Sequence, residues 1–304
     1  MNVLRFLQTV DRRLLYALLF LTVAIPLLHP IVVPTVVLGR GPLGWLHPTF
    51  ALRPFVLPVT VSPSTLMVYD EIQSLPPNSF VLLAPDWAAG SRGENGPQTE
   101  ALMRHLMKRH IRFAMVSFDP QGPIISEAMA KRLQDQYGYV EGVNWTNLGF
   151  KVDQQDFLKA FVLDVRGAAP QDYNGKPVAS EPVMAGIRSA HDIRLVIDIS
   201  ASDSYTYFIK FMQGPYKENL KMAAALTSVM APEAENFVSS RQLIGCLVGL
   251  KGAIEYEHLL GVSGTATAAN ASLSAAHVLI IFFIVLGNVA MLLERAARRR
   301  EDQE

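Results

Sequence analysis

Two long stretches without Asp, Glu, Lys or Arg lie toward the two ends of the chain. The first holds the 26 residues 14–39, and the second holds the 19 residues 275–293. Because about 20 apolar residues suffice to cross the hydrocarbon core of a bilayer, we predict a transmembrane helix over each stretch. The alternative for the first is a cleaved signal peptide, since Arg5, Arg12 and Arg13 precede it. However, the apolar run is too long, and no small-residue cleavage pattern follows.

Basic residues flank both predicted spans on one side. Three lie in the N-terminal segment 1–13, and four lie in the C-terminal tail 294–304. The positive-inside rule then puts both termini in the cytoplasm and everything between the spans on the extracytoplasmic side. We therefore predict a two-pass protein of the cell membrane, in bacteria the inner membrane, with the lipid bilayer as one partner.

Short apolar runs alternate with helical patterns between residues 62 and 260. Strand-like runs bounded by turn residues lie at 79–85, 112–118, 145–150, 193–199 and 222–229. Helical patterns lie at 64–75, 98–110, 126–137, 154–166 and 205–212. Near-continuous apolar strands separated by amphipathic helices are typical of parallel sheets covered on both faces. We predict an α/β fold in which a doubly wound, mainly parallel sheet forms a Rossmann-like three-layer domain, flanked by the N-terminal and C-terminal transmembrane helices.

Three further segments complete the predicted domain organisation. Residues 40–61 mix aromatic side chains with four prolines and hardly any charge, which is typical of a membrane-proximal segment. Residues 261–274 are small and polar, so we predict a flexible tether there. Residues 242–257 contain three glycines whose spacing favours a closely packed final core helix. The alternative for this last segment is a contact with a membrane partner.

The composition excludes several classes of protein. Of the 304 residues, 50% are hydrophobic and 18% are charged, which excludes intrinsic disorder. The 27 basic residues equal the 27 acidic residues, so the charge does not indicate nucleic-acid binding. The lone Cys246 excludes an intramolecular disulfide and a cysteine-based metal cluster, and its apolar surroundings predict a buried, inert thiol.

The segments after the predicted strands carry residue types expected of a ligand site. In open parallel sheets, ligands bind beyond the carboxyl ends of the strands, where the strand order reverses. The candidate crevice residues that follow the first, second and fourth strands are Asp86, Trp87, Ser91, Arg92, Asp119, Gln121, Asp198 and Ser200. Such a crevice would take a small-molecule ligand, and no motif specifies a cofactor.

Three of these residues are carboxylates, namely Asp86, Asp119 and Asp198. Together they would hold a divalent cation through oxygen ligands or supply a general acid–base pair. The alternative is that aspartates and serines at strand ends form turns and cap helices, as Asp203 would for a helix beginning near Tyr205. We favour this structural role, so the three carboxylates are weak metal candidates and no metal site is assigned.

The segment after Asp86 contains Gly90, Gly93 and Gly96 and predicts a solvent-exposed loop. Anion binding at the N-terminus of the following helix is the alternative. The glycine spacing matches neither common phosphate-binding motif, and Glu94 would repel a phosphate. We therefore favour the solvent loop.

The histidines fall into two groups. His29 and His277 lie at similar depth in the two predicted spans, where they would form an intramembrane titratable pair. An interfacial position without function is the alternative that we favour. His105 and His110 lie five residues apart on a helix rich in basic residues, so they do not share a face as zinc ligands would. We expect both to be solvated.

No catalytic motif emerges, and a G-x-S-x-G nucleophile elbow in particular is absent from the sequence. The leading hypothesis is a non-enzymatic binding, sensing or scaffold subunit of a membrane protein complex. Its partners would be other membrane subunits or further copies of the chain in a homo-oligomer. The alternative is a membrane-tethered hydrolase or transferase that uses the strand-end carboxylates, with or without a divalent cation.

Overall fold

The computed structural model describes residues 12–32, 59–214 and 220–301. The chain divides into two units. One is an α/β domain, Val59–Ala266, and the other is formed by the two ends of the chain, of which residues 12–32 and 267–301 are described. Apart from the two histidines of the predicted spans, every candidate site residue lies in the α/β domain.

Six strands form one parallel sheet in the α/β domain. Their bounds are β1 Phe80–Asp86, β2 Arg112–Ser117, β3 Trp145–Phe150, β4 Leu195–Ser200, β5 Lys221–Leu226 and β6 Cys246–Val248. All neighbouring strands in this sheet pair in parallel, and the strand order is β3-β2-β1-β4-β5-β6. The predicted α/β fold with a mainly parallel sheet is therefore confirmed.

Helices cover both faces of this sheet. In chain order the helices are α1 Arg12–Val32, α2 Pro63–Ser74, α3 Arg92–Lys108, α4 Gly122–Tyr137, α5 Gln154–Leu163, α6 Val165–Ala168, α7 Tyr205–Phe208, α8 Ala231–Ser239, α9 Gly249–Leu260 and α10 Thr265–Glu301. Helices α2, α3, α4 and α9 contribute to the apolar cluster on one face, and α5 to α8 contribute to the cluster on the other. The domain thus has three layers.

Strand β1 explains why the strands are near-continuous apolar runs in the sequence. All of its residues are buried. Phe80 and Leu82 pack in the cluster on the α5 face, whereas Val81 and Leu83 pack in the cluster on the α3 face. Because successive side chains point to opposite faces, a strand covered on both sides has no solvent-facing position.

Strand β6 was not predicted. The expected glycine-bearing helix over residues 242–257 is wrong in its first half, because Cys246–Val248 pairs with β5 and the helix begins only at Gly249. Gly249 has φ +58°, and a Cβ there would collide with Ser228 and Glu94. A strand of three residues is too short to show an alternating pattern, so glycine spacing alone suggested a continuous helix.

The predicted flexible tether over residues 261–274 is also wrong for most of its length. Helix α10 begins at Thr265, and only the four preceding residues form a turn and loop. The carboxylate of Glu257 accepts hydrogen bonds from the backbone N–H groups of Gly264 (3.0 Å) and Ala266 (2.9 Å). A carboxylate satisfies the unpaired N–H groups of a first helical turn, and the alanines that follow favour a helix.

One helix in the described part of the chain is long and apolar enough to cross a membrane, namely Thr265–Leu293 within α10. Helix α1 contains a shorter apolar stretch, Arg13–Ala24. Residues 33–39 of the first predicted span and residues 40–58 of the membrane-proximal segment lie outside the described residues. Length and composition therefore support the C-terminal span, and the N-terminal span stays a prediction.

Candidate functional site

The strand order reverses between β1 and β4, which are neighbours at the centre of the sheet. The chain moves outward from β1 through β2 to β3 and then returns to the other side of β1. In the resulting register, Ala84 lies beside Asp198 and Asp86 lies beside Ser200. Because ligands of open α/β sheets bind where the strand order reverses, these residues define the candidate site.

Two of the predicted carboxylates come together at this point. Asp86 accepts a hydrogen bond from the backbone N–H of Phe118. Asp198 accepts hydrogen bonds through Oδ2 from the hydroxyls of Ser200 (3.1 Å) and Ser204 (2.7 Å). The remaining oxygens, Oδ2 of Asp86 and Oδ1 of Asp198, have no N–H or O–H partner in the described residues, although the two side chains lie within hydrogen-bonding reach of each other. One proton held between these oxygens satisfies both.

Burial is the main reason that this pair holds a proton. It raises the pKa of Asp86 to about 7 and raises the pKa of Asp198 well above its ordinary value. The negative charge of Asp86 further raises the pKa of Asp198, whereas hydrogen bonding to Asp198 lowers the pKa of Asp86, and Asp119 adds a negative charge near Asp86 that raises it. Two adjacent carboxyl groups that share one proton are chemically able to act as a general acid and a general base.

Access to this pair is closed. Asp86 is 8% exposed and Asp198 is fully buried. The ring of Phe118 packs edge-to-face against those of Phe157 and Phe208, at centroid distances of 5.7 and 5.8 Å. Within the described residues, the carboxyl pair therefore has little contact with solvent.

Most of the other predicted crevice residues have structural partners. The indole of Trp87 is buried on the α3 face and donates to the Thr99 hydroxyl (3.0 Å), so it lies on the opposite side of the sheet from the carboxyl pair. The hydroxyl of Ser91 donates to a carbonyl in its own turn, and Arg92 is exposed. These residues do not converge on one crevice.

Asp119 and Gln121 join the loops that follow β1 and β2. Asp119 accepts from the backbone N–H of Gln121 (2.8 Å), and the Gln121 side chain accepts from the backbone N–H of Ala89 (3.1 Å). The alternative of a turn-forming role therefore fits Asp119. Asp86 and Asp198 also accept hydrogen bonds from groups near the strand ends, and in addition their carboxyl groups lie together.

Polar side chains of α3, which were not predicted as site residues, close the ends of β4, β5 and β6. The buried amide of Asn95 donates to the Ser200 carbonyl (3.1 Å). The buried amide of Gln98 donates to the carbonyls of Leu226 (3.0 Å) and Gly249 (3.0 Å). Two amide side chains three residues apart on the buried side of this helix are the only sequence signal of this arrangement.

The expected solvent loop with Gly90, Gly93 and Gly96 is largely the first turn of α3. The helix begins at Arg92, so two of the three glycines are helical. Glu94 accepts hydrogen bonds from the backbone N–H (2.8 Å) and the hydroxyl (2.7 Å) of Ser228. This carboxylate, held at the N-terminal turn of the helix, disfavours a bound anion there.

The described residues contain no group of three or more His, Cys, Asp or Glu side chains that could hold a metal ion. Asp86, Asp119 and Asp198 therefore do not form the ligand set considered for a divalent cation. The thiol of Cys246 is buried, and burial raises its pKa to about 12.

The expectation that His105 is solvated is wrong. Its ring is buried and hydrogen-bonds to the Tyr256 hydroxyl (2.8 Å) and to the Gln73 side chain (3.1 Å), and burial lowers its pKa to about 3. His277 is exposed on α10 and bonds to a carbonyl of its own helix (2.7 Å). The side chain of His29 lies outside the described residues, so pairing of the two intramembrane histidines stays a prediction.

Comparison of the chain with models of protein families, with curated proteins and with solved structures gave no match. The fold is therefore characterised by its strand order alone, and the candidate site by the contacts of its residues. Two features bear most directly on function. They are the buried Asp86–Asp198 carboxyl pair and the strand ends to which Asn95 and Gln98 hydrogen-bond.

Proposed function

We propose that the protein is a membrane-anchored binding or scaffold subunit whose α/β domain lies on the extracytoplasmic side of the cell membrane. The burial of the Asp86–Asp198 pair is the observation that carries this proposal. An enzyme that used these carboxyl groups would need them in an open cleft, whereas both are engaged inside the domain. A closed strand-end crevice leaves the outer surface of the domain as the part available to partners.

The membrane anchor is supported by α10. Its large apolar side chains point outward along the middle of the helix. They include Val278, Ile280, Ile281, Phe282, Ile284, Val285, Val289 and Leu292, all of which are exposed. A helix that exposes apolar side chains over such a length is stable when lipid surrounds it. The basic residues beyond residue 294 support a cytoplasmic position for the C-terminus.

The size of the native particle tests the scaffold function. We expect the full chain, extracted in a mild detergent, to elute with other proteins in a stable assembly larger than its own 33.5 kDa. Asp198→Asn should leave the assembly intact, because asparagine has the same shape as aspartate and this buried side chain does not reach a partner subunit. Light scattering coupled to gel filtration gives the mass, and mass spectrometry identifies the co-eluting chains. A monodisperse single chain would contradict the proposal.

Cysteine labelling tests the topology. Because Cys246 is buried and its thiol pKa is raised, the wild-type chain should react poorly with a membrane-impermeant maleimide. We expect Asp135→Cys, on an exposed position of α4, to be labelled in intact spheroplasts. Asn2→Cys and Gln303→Cys should be labelled only after permeabilisation. Labelling of Asn2→Cys from outside would mean that the N-terminal segment does not span the membrane.

One observation favours the alternative of a tethered hydrolase or transferase. Asp86 has a pKa of about 7, and it adjoins a second carboxyl group, as in acid–base pairs that share a proton. If this alternative is correct, Asp86→Asn and Asp198→Asn should abolish an activity found in the wild-type chain while leaving its fold and its assembly unchanged.

A further inference from the structure

The longest irregular connection in the α/β domain runs from α6 to β4, alongside the edge strand β3. Its regular structure is confined to three single turns of 3₁₀-helix, Val178–Ser180, Pro182–Met184 and Ala190–Asp192. The backbone N–H of Tyr173 donates to the Asn147 carbonyl (2.7 Å) and ties the connection to β3. Long connections of this kind inside compact domains are uncommon and are often functional.

Three oxygen-bearing side chains meet where this connection crosses β3. Glu181 and Asp172, from the connection, are 6% and 7% exposed, and Thr146, from β3, is fully buried. Both carboxylate oxygens of Glu181 and the hydroxyl of Thr146 lack a hydrogen-bond partner in the described residues. Nevertheless, Asp172 and the Thr146 hydroxyl both lie close enough to Glu181 to change its pKa. The oxygens therefore adjoin one another with no hydrogen bond of good geometry between them.

Burying such a group of oxygens raises the free energy of the folded chain unless a positive charge lies among them. Lys176 is near enough to lower the pKa of Glu181, but the salt bridges of the described residues do not include this pair. The backbone N–H of Lys176 donates to Oδ1 of Asp172 (2.6 Å), which leaves Oδ2 of Asp172 outside that bond. Burial, and after it the charge of Asp172, raises the pKa of Glu181. A proton or a metal cation would relieve this repulsion.

We propose that Glu181, Asp172 and Thr146 bind a calcium ion that fastens the connection between α6 and β4 to the edge of the sheet. The buried, unpartnered hydroxyl of Thr146 is what distinguishes this group from a pair of neighbouring acids. A hydroxyl oxygen adds a neutral ligand to two carboxylates, and all three ligands are hard oxygens of the kind that calcium takes.

Calcium suits these ligands better than magnesium does. Calcium accepts six to eight oxygens in flexible geometry, whereas magnesium requires a near-ideal octahedron at shorter distances. Two carboxylates would balance the charge of the ion, and water would fill the remaining positions. The choice of calcium rests in part on the proposed extracytoplasmic location, where sites with dissociation constants of about 10⁻⁴ to 10⁻³ M are typical.

Terbium luminescence of the full chain in detergent micelles tests the site. Trp145 adjoins Thr146 in the sequence, and Tyr173 adjoins Asp172, so excitation of these aromatic rings should sensitise a bound terbium ion. We expect a saturable signal that calcium displaces in the range of about 10⁻⁴ to 10⁻³ M. Glu181→Gln and Thr146→Val should each weaken binding by about tenfold or more, and Thr146→Ser, which keeps the hydroxyl, should retain it.

Glu141→Gln is the matched control. Glu141 is a nearby carboxylate that already contacts Lys131 (3.4 Å) and Asn174 (2.8 Å), so its loss should leave terbium affinity unchanged. Equal affinity of wild type, Glu181→Gln and Thr146→Val would overturn the proposal, as would the lack of any calcium-displaced signal from the wild type. If Glu181→Gln does not fold, the terbium affinities of Thr146→Val and Thr146→Ser still test the proposal.

Failure of the calcium site and failure of the proposed function are distinguishable. Terbium binding to purified protein is independent of the side of the membrane on which the domain lies. The labelling of Asp135→Cys in spheroplasts, by contrast, is independent of calcium.

Discussion

The stability of the wild-type chain should fall, relative to that of Asp86→Asn, as the pH rises from about 4 to about 7.5. In the unfolded chain Asp86 ionises near its ordinary pKa of 3.8, whereas burial keeps Asp86 protonated in the folded chain up to about pH 7. The folded state therefore binds more protons in this window. The stabilisation is complete below the unfolded pKa and is lost as the pH rises through the folded pKa, by an amount on the order of 4 kcal/mol.

The comparison with Asp86→Asn is needed because His105 acts in the opposite direction. Its pKa is lowered by burial to about 3, so its contribution to stability is lost as the pH falls. Both chains contain His105 and Asp198, and the difference between their unfolding free energies isolates the titration of Asp86. Urea unfolding in detergent micelles, followed by the fluorescence of the buried Trp87 and Trp145, provides the measurement.

Asp119→Asn is the control for this titration. Asp119 lies at the same edge of the sheet, and an asparagine there can still accept from the Gln121 N–H. The pH-dependent difference should therefore persist in that variant. If the wild type gains stability relative to Asp86→Asn between these pH values, Asp86 does not hold a proton in the folded chain.

Gly122→Ala should cost more than about 3 kcal/mol of unfolding free energy. Gly122 is the first residue of α4, and a Cβ on it would collide with the Ser117 side chain and with the backbone carbonyl of Pro85. The Ser117 hydroxyl donates to this same carbonyl (2.9 Å), so it is held in place where β1 and β2 end. A backbone oxygen cannot move aside without shifting β1.

Gly93→Ala provides the matched control for that substitution. Gly93 lies in the first turn of α3, and a Cβ there would meet nothing within 4 Å. Alanine favours a helix over glycine by up to about 1 kcal/mol, so this variant should be as stable as the wild type or slightly more so. Urea midpoints of the two variants give the comparison. A Gly122→Ala chain within about 0.5 kcal/mol of wild type would refute the steric argument.

Features that depend on runs of several residues were predictable from the sequence. Strands β1 to β5 each contain at least five consecutive buried residues, and most of these residues are apolar, so the strands are visible in the sequence. The meeting of Asp86 and Asp198 followed from the rule that strand ends of a doubly wound sheet converge where the order reverses. Their separation from Asp119, which forms its own turn, did not follow from that rule.

Features set by single side-chain contacts were not predictable. The prediction of a flexible tether was wrong because Glu257 caps the start of α10, a contact that local composition does not reveal. His105 was expected in solvent because basic residues surround it in the sequence, yet Tyr256 lies against it from a helix that comes 151 residues later. Local composition reports on neighbours along the chain, and burial is decided by neighbours in space.

The hydrogen bonds at the ends of β4, β5 and β6 also determine when the domain can fold during synthesis. Asn95 and Gln98 emerge from the ribosome early, but their carbonyl partners follow 105 to 151 residues later. Strand β1, at the centre of the sheet, likewise waits for β4 to cover its second edge. A growing chain therefore leaves these amides and this edge unpaired through most of its synthesis, and the domain can close only once Gly249 has been added, shortly before α10 is made.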